Sequence, residues 1–162
     1  MTNRSAERSN GRVDDVEALR RRWAYGVRQR CAAIVRASGM TRPPFFPERY
    51  AARCGVSAIV AAVTEGEPVR FEHRSDDAGR TSRAFILVDR RLPPHTPQWN
   101  GAVALGLGET LVPQSAHGEI RRALVETGAA ELLLPMAVFR PAAARTDLTV
   151  DGLRDLAARF AA

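Results

Sequence analysis

The segment from Pro97 to Pro113 constrains the fold more than any other, because it combines a helical apolar pattern with three glycines. Apolar residues recur there at every fourth position: Trp99, Val103, Leu107 and Leu111. This spacing predicts one face of a helix that runs through the core. Its glycines, Gly101, Gly106 and Gly108, each cost about 1 kcal/mol relative to alanine inside a helix. We therefore expect another part of the backbone to approach this helix closely.

Length and composition indicate one compact globular domain with a tail. The chain has 162 residues, of which 45% are hydrophobic and 26% charged, enough for a core without disulfides or metals. No apolar run approaches the roughly 20 residues of a membrane span, and the polar N-terminus does not resemble a secretory signal. We expect a cytoplasmic protein with no membrane partner. Its two cysteines, Cys31 and Cys54, are predicted to be free thiols.

The net charge of +6 is concentrated in the N-terminal third. Residues 1–53 contain 12 Arg and 5 acidic residues, a surplus of +7, whereas residues 54–162 contain 12 Arg and 13 acidic residues. The densest basic cluster consists of Arg20, Arg21, Arg22, Arg28 and Arg30. One interpretation is a helix that contacts nucleic-acid phosphates, which suit the planar arginine fork. The alternative is a solvated helix face, since no aromatic ladder or helix-turn-helix spacing accompanies the cluster.

The rest of the pattern predicts an α+β fold. Residues 1–12 lack apolar periodicity and are predicted to be a disordered tail, residues 13–40 a basic amphipathic helix, and residues 41–162 the main domain. Strands are predicted at Val56–Thr64, Val69–Arg74 and Thr81–Asp89. We expect them to form a small antiparallel three-stranded sheet packed on a helix hairpin. A closing helix is predicted at residues 149–160.

Three short segments, in a fixed order along the chain, carry the functional information. Pro47 opens a short helix that Gly55 closes before Val56. Ala104-Leu-Gly-Leu-Gly-Glu109 follows within the central helix, and Ala129-Ala-Glu-Leu-Leu-Leu-Pro135 follows the next helix. Together they resemble the ImmA/IrrE family of metallopeptidase-like proteins, which has Ala-His-Glu-Leu-Gly-His and Ala-Ala-Glu-Leu-Leu-Met-Pro at the last two. The resemblance covers about residues 43–161 and implies a zincin-like fold.

The residues that would perform zinc chemistry are replaced in this chain. In the zinc peptidase motif two His at i and i+4 bind the metal, and the Glu between them acts as general base. The resemblance places Leu105 and Glu109 at the two His positions and Gly106 at the Glu position. The family's third ligand corresponds to Arg122, whose positive charge repels a dication. We therefore expect neither a metal nor another cofactor, and no catalytic residue.

These losses lead us to expect a catalytically degenerate protein that works by binding another protein. Leu105, Gly106 and Glu109, with Arg122 opposite, are predicted to line the former active-site cleft. Such a cleft could accept a peptide strand on the sheet edge. Active relatives cleave or control DNA-binding repressors, so the resemblance implies a bacterial, phage or mobile-element setting in which the partner is a transcriptional regulator.

Two other functions remain open at this point. One is an active metallopeptidase with relocated zinc ligands, for which Glu109, His117 and Glu119 are the best-placed candidates. Further possible ligands are His73, His95 and Glu126. The other is a nucleic-acid-binding regulator that uses the basic cluster of residues 20–30, whose affinity would fall steeply with salt.

Overall fold

The computed structural model describes residues 4–75, 82–147 and 149–160, with side chains from residue 17 onward. Its helices are α1 (Arg4–Ala37), a short 3₁₀ helix (Pro47–Cys54), α2 (Pro97–Leu111), α3 (Gly118–Leu133), α4 (Met136–Ala143) and α5 (Val150–Phe160). Its strands are β1 (Val56–Ala62), β2 (Val69–Ser75) and β3 (Ser82–Asp89). The α+β class is confirmed. Helix α4 was not predicted, and the predicted start of the third strand at Thr81 lies outside the described residues.

The sheet is mixed, so the prediction of an antiparallel sheet is wrong. The strand order is β1-β3-β2, with β1 parallel and β2 antiparallel to β3. Strand β3 is the most apolar strand, with Ile86 and Val88 fully buried, and the central position buries it best. The connection over residues 63–68 carries the chain past β3, a span of about 10 Å between the two outer strands.

Helix α2 lies in the core as its sequence predicted. Its four apolar residues of one face are all buried: Trp99, Val103, Leu107 and Leu111. Thr96 caps its start, where the side-chain oxygen accepts a hydrogen bond of 3.2 Å from the Trp99 amide. The helix packs on the sheet and on α3. An added Cβ on Gly108 would lie 2.6 Å from the carbonyl oxygen of Val125, so the expected close backbone approach is between α2 and α3.

Helix α1 begins at Arg4 instead of Val13 and ends at Ala37, before a left-handed Gly39 with φ of 72°. Helical backbone therefore covers residues 4–12 of the predicted tail, because extending an existing helix costs little per residue. Residues 1–3 lie outside the described residues. The buried residues Val27 and Cys31 contact α3 at Gly128. None of the described helices is long and apolar enough to cross a membrane.

Both cysteines are free thiols, as predicted. Cys31 is fully buried and its Sγ lies 3.6 Å from the carbonyl oxygen of Gly128. Burial raises the pKa of Cys31 to about 12 and that of Cys54 to about 11. At neutral pH neither thiol provides the thiolate that nucleophilic catalysis requires.

Candidate functional site

A cleft of about 660 Å³ opens between β2, α2 and α3. Its lining includes all four residues that the sequence placed at the degenerate motif: Leu105, Gly106, Glu109 and Arg122. Strand β2 contributes Val69, Arg70 and Phe71, and α3 contributes Gly118, Arg121, Val125 and Glu126. The topology thus brings these positions of α2 and α3 to one concave surface beside β2, an outer strand of the described sheet.

Gly106 packs directly against the sheet. A Cβ built on Gly106 would lie 2.7 Å from Cγ2 and 3.0 Å from Cγ1 of Ile86, closer than real side chains approach one another. Ile86 is fully buried at the centre of β3, with Ile59 and Phe71 as its neighbours on the flanking strands. The β-branched side chain of Ile86 therefore fills the space into which a side chain at position 106 would extend. Glycine is the residue that this packing admits without a shift of the strand.

Glu109 is paired with an arginine. Its Oε2 accepts a hydrogen bond of 2.5 Å from Nη2 of Arg121 across the α2–α3 contact, and each side chain is about one-third exposed. A charge-assisted bond at this distance neutralises the carboxylate and fixes its direction. Sequence reasoning missed Arg121. Its position one turn before Val125, which meets Gly108, places it on the face of α3 that points to α2.

Arg122 lines the cleft from α3, and it pairs within its own helix instead of with Glu109. Its Nε is 3.2 Å from Oε1 of Glu126 on the same helix, and its side chain is 83% exposed. The reason is helical geometry, because a step of one residue along a helix rotates the side chain by about 100°. Arg121, one residue earlier, therefore reaches Glu109 while Arg122 does not pair with it.

The six charged residues that line the cleft balance one another. They are Glu67, Glu109, Glu126, Arg70, Arg121 and Arg122. On β2, Arg70 lies 3.2 Å from Glu65 and 3.7 Å from Glu67, and the hydrogen bond that Arg70 donates to the Glu65 carboxylate is the main cause of its raised pKa. The cleft therefore combines half-buried apolar side chains with paired charges, a surface without the positive excess that nucleic acid requires.

The structure does not assemble a metal site from the alternative ligands. Among the side chains that the structure describes, in residues 17–75, 82–147 and 149–160, no three His, Cys, Asp or Glu are grouped so that they could hold an ion. Glu109, His117 and Glu119 are therefore not brought together as a ligand set. His95 Nδ1 lies 3.4 Å from Glu48, and His73 Nδ1 lies 3.4 Å from the Ser82 hydroxyl. The relocated-ligand hypothesis gains no geometric support.

The basic cluster lies exposed on α1, and its members differ in their contacts. Arg20 and Arg21 approach Glu17 at 3.9 and 3.2 Å. Nη1 of Arg30 donates a hydrogen bond of 3.1 Å to the carbonyl oxygen of Leu111, at the C-terminal end of α2. Arg30 thus attaches α1 to α2 and satisfies a carbonyl that has no partner within its own helix. Nucleic-acid binding by the cluster stays a prediction.

A comparison with known proteins does not assign the chain. No family model matches the sequence, and no curated protein matches it. A partner that enters the cleft would meet Leu105, Gly106, Glu109 and Arg122, together with paired charges and the adjoining outer strand β2.

Proposed function

We propose that this chain is a catalytically degenerate, zincin-like protein of ImmA/IrrE type that binds an extended segment of a protein partner in the cleft. The observation that carries the proposal is the packing of Ile86 against Gly106. It leaves no room for a general base at the position where the resembling peptidases have one. The pairing of Glu109 with Arg121 supports it further, because the carboxylate at the second ligand position is already neutralised.

An extended peptide suits the shape and chemistry of this cleft. Strand β2 is an outer strand of the described sheet, so the backbone groups on its free edge are available to an added strand. Val69 and Phe71 are half-buried at the cleft, and Leu105 lies across from them on α2. Backbone hydrogen bonds would supply affinity, and apolar pockets for alternate side chains would supply specificity.

The class of partner follows from the resemblance. Proteins of the ImmA/IrrE type act on DNA-binding repressors, so we propose a transcriptional regulator as the partner, in the cytoplasm of a bacterium or of a host of mobile elements. The balanced charges of the cleft favour a neutral, partly apolar peptide segment over a strongly acidic or basic one.

Selection of displayed random peptides against the wild-type protein tests this function. Peptides that bind are synthesised, and their dissociation constants are measured by calorimetry. We expect Leu105→Arg to weaken binding at least about tenfold, because it places a charge at the apolar part of the cleft. Val60→Arg is the matched control, since Val60 is exposed on β1 at the opposite edge of the sheet, and it should leave the affinity unchanged.

Two results would contradict the proposal. One is a selected peptide that binds Leu105→Arg and wild type equally well, since the site would then lie elsewhere. The other is cleavage of a peptide by the wild-type protein that chelators or Glu109→Ala abolish, which would establish an active metallopeptidase.

A further inference from the structure

A second cavity, of about 450 Å³, shares no residue with the cleft. It lies where α5 and α4 meet the end of α3, the start of α2 and the loop before the 3₁₀ helix. Its apolar walls include Phe45, Leu134, Phe139, Leu153, Ala157 and Phe160. Ligand sites for small molecules have volumes of about 300–1,000 Å³ and walls of this apolar, aromatic kind.

Three phenylalanines fix one wall of the cavity. The ring of Phe160 lies 6.3 Å from that of Phe45 at an angle of 27°, and 5.3 Å from that of Phe139 at 77°. Both arrangements are among those that aromatic pairs prefer. Phe45 and Phe160 are buried, so the core holds two of the three aromatic side chains that line the cavity.

The rim of the cavity exposes apolar surface to water. Leu153 is 52% exposed and Leu134 is 37% exposed, and none of the eight residues of α4 is buried. Protein interiors leave few voids larger than a water molecule. A depression of this size with apolar walls therefore gains stability when an apolar molecule replaces the water inside it.

The lining also determines the charge of the occupant. None of the described residues that line the cavity is charged, and Asn100 is its one amide side chain. Moving an ionised group into such surroundings without a partner is strongly unfavourable. A neutral molecule avoids this cost.

We propose that this cavity is a binding site for a small, neutral, mainly apolar molecule with an aromatic or fused-ring body. The three aromatic side chains in the lining account for the ring, the uncharged lining for the neutrality, and the volume for the size. The site is independent of the peptide cleft, since the two share no lining residue.

Two fluorescent dyes of similar shape and different charge test this proposal on the full chain. N-phenyl-1-naphthylamine is neutral, and 8-anilinonaphthalene-1-sulfonate carries a negative charge. We expect the neutral dye to bind one saturable site with a dissociation constant in the micromolar range, and the sulfonate to bind at least tenfold more weakly. Equal affinities would overturn the proposal, because the net charge of +6 would then be attracting the anion to the general surface.

A matched pair of variants on α5 locates the site. Ala157 and Ala158 are both exposed, but Ala157 lines the rim of the cavity and Ala158 does not line it. We expect Ala157→Trp to fill the cavity and reduce binding of the neutral dye at least tenfold, and Ala158→Trp to leave it unchanged. Circular dichroism checks that both variants keep their helices. Equal binding by the two folded variants, or the absence of saturable binding to wild type, would overturn the proposal.

Discussion

Gly106 and Gly108 are separated by one residue, yet they meet different parts of the molecule. Gly106 contacts the side chain of Ile86 on the sheet, and Gly108 contacts the backbone of Val125 on α3. Gly101, in the same helix, would meet nothing within 4 Å if a Cβ were added. Two of the three glycines in this helix are thus required by close packing, and the third carries only its cost in helix propensity.

Gly108→Ala and Gly101→Ala are expected to change stability in opposite directions. At position 108 the new methyl group would lie 2.6 Å from a backbone oxygen, so the helices must separate at a cost of about 1–3 kcal/mol. At position 101 the space is free, and the free energy of unfolding should rise by up to about 1 kcal/mol. Urea unfolding measures both. Changes of the same sign would show that the close approach of α2 and α3 does not limit stability.

Gly106→Ala tests whether the Ile86 side chain occupies the space into which a side chain at position 106 would extend. The single substitution should destabilise the protein by about 1–3 kcal/mol through overpacking. In an Ile86→Ala background, which itself costs about 2–5 kcal/mol, the same substitution should cost much less, because the γ atoms that it meets are gone. A double-mutant cycle by urea unfolding gives the coupling energy. Additive effects would mean that Ile86 does not block this position.

At the scale of elements, the sequence predicted the strands well and their pairing poorly. Apolar alternation depends on each strand's own residues, and the predicted positions of all three strands agree with β1, β2 and β3 to within two residues where the structure describes them. Strand order depends on which strand is best buried between two others. Ile86 and Val88 are the residues that make β3 the best-buried strand. An antiparallel sheet requires a different pairing of β1, whereas the six-residue connection 63–68 passes β3 and leaves β1 parallel to it.

The contact between α1 and α2 predicts a structural role for Arg30. Arg30→Ala removes the hydrogen bond to the Leu111 carbonyl, which also benefits from the negative end of the α2 dipole. We expect a loss of about 1 kcal/mol in the free energy of unfolding, reduced from the value of a buried bond because Arg30 is exposed. Arg28→Ala, an exposed neighbour on the same helix, is the control and should change stability by less than about 0.5 kcal/mol. Equal changes in stability for Arg30→Ala and Arg28→Ala would contradict the structural role of Arg30.

The end of β3 should make stability depend on acid pH. Hydrogen bonds from the Arg91 side chain and amide lower the pKa of Asp89 from 3.8 to about 2. Because the folded-state pKa is the lower one, this ion pair stabilises the folded protein above about pH 4, and the contribution is lost as the pH falls toward 2. Asp89→Asn should remove this part of the pH dependence.

Unfolding free energies measured from pH 2 to 6 check the assignment of Asp89. Asp151→Asn is the control, because Asp151 pairs with Arg154 on the surface, where both side chains are highly exposed, and such pairs contribute little. An unchanged pH profile for Asp89→Asn would contradict the role of this ion pair.

At the scale of the whole molecule, the sequence predicted residues that line one cleft, and it did not predict which other side chains contact them. The resemblance assigned Leu105, Gly106 and Glu109 on one helix and Arg122 on the next, and all four line the cleft. Ile86 comes from the sheet and Arg121 is the neighbour of Arg122 on α3, and only the fold shows that they meet Gly106 and Glu109. Local sequence patterns predict which face of a helix or strand is buried. They do not predict which side chains of different helices and strands contact one another.

The zinc content of the protein tests the proposal that the metal site is lost. Purified, tag-free protein dialysed without chelator should contain well below about 0.1 zinc per chain. A catalytic zinc needs three protein ligands, and no three potential ligand side chains are grouped among the described residues. Changing Leu105 and Glu109 to His places two imidazoles at i and i+4 on α2, facing the cleft. This double variant should retain measurably more zinc in the same plasma mass spectrometry experiment.

Comparison of the wild type with the double variant distinguishes loss of the ligand side chains from loss of the backbone arrangement that would position them. About one zinc per chain in the wild type would mean that the ligands have moved and that a peptidase is the better proposal. A double variant that gains no zinc would mean that α2 and α3 no longer present the motif positions as a zincin-like site does. A metal-free wild type together with a zinc-binding double variant is the outcome expected of a peptidase scaffold that now serves only to bind.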